Sequence, residues 1–181
     1  MWLLSLAIVL GGPAACAAPS APPPAAVTPA RCDVSASHRF VTSISPDGRY
    51  FGDQDGAPIL VRGDSPWAGL TRWSTDQANL YFANRERLGF NASIMSLIGA
   101  TDNGAPSADG ATFDGIRPFV EGDVTRWNEP YWQRVDAVLR TACEHGNTIF
   151  LYPVDGWNVE KIFRSAGADR VRRYATMVAQ R

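Results

Sequence analysis

Three short apolar runs, each followed by a helical pattern, constrain this chain more than any other feature. The runs are residues 59–61, 92–98 and 148–154. Their length and composition suit strands covered on both faces. After the first run, Ser74 and Gln77 form a capping box, and Ala78, Tyr81, Phe82 and Leu88 recur at helical spacing until Gly89 ends the helix. A second helix is expected from Asn128, which suits an N-cap, with Pro130 in the first turn. Tyr131, Val135, Val138, Leu139 and Ala142 form its apolar stripe, closed by Gly146. A third helical region follows Trp157, broken near Gly167, with Val171, Tyr174, Ala175 and Val178 on its apolar face. Ahead of all three units, residues 49–52 and the Asp55-Gly56 turn read as a hairpin.

Strict alternation of strand and helix implies parallel strands joined by right-handed crossovers. Two architectures satisfy it: a doubly wound sheet, or the first three units of a (β/α)8 barrel. No G-x-G-x-x-G or P-loop follows any strand, which removes the commonest reason for the doubly wound form. A complete barrel needs about 200 residues or more, so on the barrel reading this 181-residue chain is a fragment.

The N-terminal part is read as a leader and a tether. Residues 3–10 (LLSLAIVL) are an apolar core followed by small residues, a secretory signal over 1–18 that is too short to span a bilayer. Cys16, after Ala14 and Ala15, sits as a lipoprotein's lipid-attachment cysteine would, although Pro13 departs from the usual box; cleavage after Ala17 or Ala18 is the alternative. Residues 19–37, rich in Ala and Pro, form a semi-extended linker. The folded part is expected over 38–181. The protein is therefore expected to be exported, either free or held at a membrane only through a lipid on Cys16. A net charge of −1 gives no footprint for nucleic acid. Cys32 and Cys143 remain after processing, and the sequence leaves open whether they pair.

Candidate ligand contacts lie at the ends of two strands. Asp64 and Trp67 follow the first apolar run, and Asp155 and Trp157 follow the third. An acid and an aromatic at the C-terminal end of a buried parallel strand is where α/β enzymes hold ligands. The structural alternative is that Asp64 caps a turn and Trp67 fills a gap. Tryptophan rings make flat platforms for sugars, but they also fill cores. Residues 99–127 form a loop of a length that is usually functional. Its aspartates fit no EF-hand register, so no metal is expected, nor any cofactor. His38 and His145 read as surface or helix-end residues. Ser65 has no histidine placed to serve it, and no G-x-S-x-G elbow is present.

Four ordered segments resemble the apiosidase-like glycoside hydrolases, a family of exported (β/α)8-barrel enzymes acting on plant or microbial polysaccharides. They are GRYFGDQDGAPILVRGDSPW from Gly48, YFANRERLGFNASIMSLIG from Tyr81, GDVTRWNEPYWQRVDAVLRTACEHG from Gly122, and TIFLYPVDGW from Thr148. The resemblance implies an incomplete (β/α)8 barrel, its first three βα units preceded by the hairpin. It implies a carbohydrate ligand at the C-terminal ends of the strands. Asp64 would accept hydrogen bonds from sugar hydroxyls and Trp67 would stack on a ring. Asn128 and Glu129 match the segment leading into the second helix, and Asp155 and Trp157 lie at the mouth after the third strand. Glycoside hydrolysis needs two carboxyl groups flanking the scissile bond. The resemblance puts them after the fourth and seventh strands, so no catalytic residue is expected before Arg181. The expected function is that of a glycosidase represented by its N-terminal part, inactive alone. A non-catalytic surface carbohydrate-binding protein is the competing reading.

Overall fold

The computed structural model describes Cys32 and residues 37–181. The signal segment, Cys16 and most of the linker lie outside the described residues. Within them the chain is a mixed α/β structure with two small sheets. The first is antiparallel, in the order β1 (Ser43–Ile44), β2 (Phe51–Gly52), β3 (Pro58–Ile59). The second is parallel, in the order β4 (Gly63–Asp64), β5 (Ala92–Ser96), β6 (Thr148–Tyr152).

This corrects two expectations. The hairpin is part of a three-stranded sheet: Ser43 and Ile44 add a strand to Phe51–Gly52, and Ile59 pairs with Phe51 on its other side. The run 59–61 is therefore not a buried strand: Leu60 is 78% exposed, and the first parallel strand begins only at Gly63. Apolar composition alone does not separate an edge strand from a buried one.

The helices follow the expected pattern more closely. A four-residue turn, α1 (Gly69–Arg72), precedes α2 (Thr75–Arg87). Ser74 and Gln77 cap α2 reciprocally, the Ser74 side chain accepting from the Gln77 amide at 3.2 Å. Gly89, just past the end of α2, has φ +76°, a conformation that glycine adopts without strain. In α3 (Glu129–Glu144), Tyr131, Val135, Val138 and Ala142 are buried as the stripe predicts. Asn128 is the N-cap by position, but its side chain does not cap; Nδ2 donates instead to the Arg117 carbonyl at 2.7 Å. After β6 come α4 (Gly156–Asn158), a helical continuation to Ala166, and α5 (Ala168–Gln180).

Residue alternation divides the parallel sheet into two faces. Met95, Ile149 and Leu151 belong to the core with Phe82, Tyr131, Val135 and Val138, so this face meets the helices. Ser93 pairs with Ile149 and shares that face. Ile94, Ser96, Phe150 and Tyr152 occupy the other face. There Phe51 of the antiparallel sheet reaches Phe150, with centroids 6.4 Å apart, so the small sheet covers the lower part of that face. Among the described residues, β6 is hydrogen-bonded to a strand on one side only.

The aromatic residues concentrate on the helix side. Trp127 stacks on the buried Trp132 at 3.8 Å, and Phe119, Phe163 and Tyr174 close around them. Burial holds the Tyr131 and Tyr174 hydroxyls well above the usual phenol range. Cys32 and Cys143 form a disulfide, which settles the pairing the sequence left open. His145 is the C-cap of α3, the helix end expected for it, and both histidines meet one carboxylate. Glu86 takes His38 Nε2 at 2.9 Å on one oxygen and His145 Nδ1 at 2.7 Å on the other.

Candidate functional site

The C-terminal ends of β4, β5 and β6 gather the predicted strand-end residues, but on different faces. Asp64 is paired in register with Ser93, whose side chain belongs to the helix face. Its carboxylate accordingly engages α2. Oδ2 accepts from the Tyr81 hydroxyl at 2.9 Å and from Arg85 Nε at 2.7 Å, while Oδ1 accepts from the Ser65 amide at 2.7 Å. Partial burial acts to raise the Asp64 pKa, but the Ser65 amide, the Tyr81 hydroxyl and the Arg85 guanidinium outweigh it and hold the carboxyl below its ordinary value. The Arg85 guanidinium also lies 4.6 Å from the centre of the Tyr81 ring.

Trp67 turns the other way. Its carbonyl accepts from the Ser96 amide at 2.9 Å, which holds the residue over the end of β5. Its ring lies 5.1 Å from that of Tyr152 with the planes 53° apart. Tyr152 is 42% exposed and stands on the face away from the helices. The two rings make an open aromatic corner above Phe150. Sequence reasoning singled out Trp67 and missed Tyr152. Its signal was period-two alternation from Phe150 along the run TIFLY.

Asp155 is buried at the end of this corner's strand layer. Oδ2 accepts from Ser96 Oγ at 2.8 Å and Asn103 Nδ2 at 2.9 Å, and Oδ1 accepts from the Asn158 amide at 3.0 Å. One carboxylate thus ties β5, the loop after it and the start of α4 together. Ser96 and Asn103 were not anticipated. Trp157, two residues on, is 47% exposed.

Asn128 and Glu129 are elsewhere, at the start of α3. Asn128 fixes residue 117 as described above, and Glu129 accepts from Arg181 Nη2 at 2.8 Å. Arg181 also bonds Asp136 at 2.7 Å, and these two carboxylates hold its charge firmly in place. Of the six predicted residues, Trp67 and Asp155 are joined through Ser96, Asp64 brackets β4 to α2, Asn128 and Glu129 lie at the start of α3, and Trp157 stands exposed after Asp155. Among the described residues no group of three or more histidine, cysteine or carboxylate side chains is arranged to hold a metal ion.

This geometry leaves an aromatic surface at the strand mouth. It holds both strand-end carboxylates in internal hydrogen bonds. The family profile "Apiosidase-like, catalytic domain" matches residues 45–181. Two solved structures share the fold. One is named a glycoside hydrolase, with a TM-score of 0.62 and 21% identity over 79% of this chain and 31% of that chain. The other is a glycoside hydrolase family 5 protein from Bacteroides vulgatus ATCC 8482, with a TM-score of 0.61 and 20% identity over 80% of this chain and 30% of that chain. The chain thus spans under a third of the length of these two structures. No curated protein sequence matches it.

Proposed function

We propose that this chain, which belongs to the apiosidase-like catalytic-domain family, forms the sugar-binding N-terminal part of a glycoside hydrolase. In this reading β4, β5 and β6 are the first three strands of a (β/α)8 barrel, and the antiparallel sheet closes its lower end. The observation that carries the site is the Trp67–Tyr152 corner at the strand mouth. Exposed ring faces bind the apolar faces of sugars while hydroxyl groups stay solvated or hydrogen-bonded. Trp157, exposed two residues after Asp155, would extend the contact.

The carboxylates are proposed to support this mouth and not to cleave. Asp64 brackets β4 to α2, and Asp155 fixes the loop and helix beside the rings. The general acid and its partner carboxylate are proposed to come from barrel units other than these three, because hydrolysis needs two carboxyl groups facing the scissile bond. The family match favours this over a purely non-catalytic binding protein. Export is part of the proposal, and the Cys32–Cys143 disulfide supports it, since such bonds persist in oxidising compartments.

The test is to incubate the chain with neutral tetrasaccharides, xylotetraose and cellotetraose, and to measure binding and release of reducing ends separately. Binding without hydrolysis is expected. Hydrolysis by this chain would overturn the assignment of the acids elsewhere. Absence of any saccharide binding would overturn the site.

A further inference from the structure

Two departures from ordinary backbone geometry, about forty residues apart in sequence, border the same cleft. The cleft has a volume of about 440 Å³ and lies between the loop 99–127 and the helical segment after β6. That is within the range of ordinary ligand sites. The first departure is Glu121, with φ +53°, the one non-glycine residue with positive φ among the described residues. A side chain in this region is held against a steric cost, and such residues gather at functional sites. The second is Val159–Phe163, which winds as a π-helical turn, the Arg164 amide donating to the Val159 carbonyl. Single π turns also recur at functional sites. This one brings Lys161 and Ile162 to the cleft.

The lining identifies the kind of ligand. Ile162, half-buried, and the edge of the buried Phe119 give the cleft its apolar side. The rim charges are all paired internally. Arg117 bonds Asp109 at 2.7 Å, Arg126 bonds Glu121 at 2.5 Å, and Lys161 bonds the Asp102 carboxylate and, at 3.1 Å, Thr101 Oγ1. Two lining acids, Asp109 and Glu121, balance two lining bases, Arg117 and Lys161. An apolar side next to a rim of donors and acceptors with no net charge complements a neutral sugar and gives no selection for an ion.

We propose that this cleft is a second carbohydrate subsite, holding a neutral stretch of the polymer away from the Trp67–Tyr152 corner. The class of ligand rests on the glycosidase reading, and the location rests on the cleft itself. Binding of parts of the substrate that do not react supplies energy for orienting it at the reacting centre.

The test is a titration of xylotetraose into the full chain, followed by amide and indole NMR shifts, with tetragalacturonate as the acidic comparison. Saturable shifts at Phe119, Glu121 and Lys161 are expected, and they should persist in Trp67→Ala. Ser165→Trp, which fills the cleft from an exposed position, should weaken binding there at least tenfold. Glu121→Gly should melt at a higher temperature, because glycine takes φ +53° freely and the exposed pair with Arg126 is weak. It should nevertheless bind at least threefold more weakly. Shifts confined to Trp67 would overturn the subsite and leave the glycosidase reading standing. Binding by Glu121→Gly or Ser165→Trp at the parent's affinity would do the same. Cleft shifts with tetragalacturonate alone would overturn the neutral class. No saccharide binding at all would overturn both readings.

Discussion

Asp64 Oδ2 lies 2.7 Å from Arg85 Nε, a bond from the end of a parallel strand to the helix that follows it. The acid that the sequence offers as a sugar contact is thus a bracket between β4 and α2. Asp64→Ala should lower stability by about 1–2 kcal/mol, the lower part of the range for charged hydrogen bonds because both partners are partly solvated. Urea unfolding monitored by circular dichroism checks this. Unchanged stability would show that Tyr81 and Arg85 hold α2 without it.

Much of the helical framework was legible because its signals are local. Ser74 with Gln77 and the stripe from Tyr131 to Ala142 each mark one helix with its boundary and buried face. The strands were less legible. Ile59 and Leu60 look like a buried run, yet Ile59 pairs with Phe51 and Leu60 is exposed, a result set by tertiary pairing. For the same reason the direction of Asp64 was hidden, because the face of a two-residue strand is fixed by its register with Ser93. The places of Asp155 and Trp67 after their strands were readable from position. Tyr152, Ser96 and Asn103 complete their surroundings through contacts between β5, β6 and a loop, which no short motif records.

Asp114 should contribute to acid sensitivity. Arg134 bonds both its oxygens, at 2.8 and 2.5 Å, Thr112 Oγ1 adds a third bond at 2.6 Å, and these lower its pKa to about 2. A depressed carboxylate pKa means that the unfolded chain takes up the proton first. The stabilisation is therefore complete above the ordinary value of 3.8 and is lost as pH falls towards about 2. Asp109 and Asp64 are lowered in the same direction, so they share the acid limb. Asp114→Asn should cost less than about 1 kcal/mol at neutral pH, given its partial exposure, and should flatten the stability profile below pH of about 4. Thermal melts across that range measure the slope. An unchanged slope would contradict the assignment.

The Cys32–Cys143 disulfide closes a loop spanning 111 residues and holds the segment before β1 to the end of α3. A loop that long should contribute about 2–5 kcal/mol, chiefly by restricting the unfolded chain. Cys143→Ser, or reduction followed by alkylation, should lower the melting temperature markedly. Equal melting of oxidised and reduced protein would contradict this role.

Sugar binding at the Trp67–Tyr152 corner is tested most directly by a xylotetraose titration of the chain and of Trp67→Ala and Tyr152→Ala, read by the Trp67 indole resonance and by calorimetry. Removing a stacking ring should weaken binding at the mouth by about 1–2 kcal/mol, roughly five- to thirtyfold. The Trp67 indole should shift saturably, and each variant should lose affinity at the mouth while remaining folded. An unmoved indole, or variants that bind as well as the parent, would contradict a sugar site at this corner.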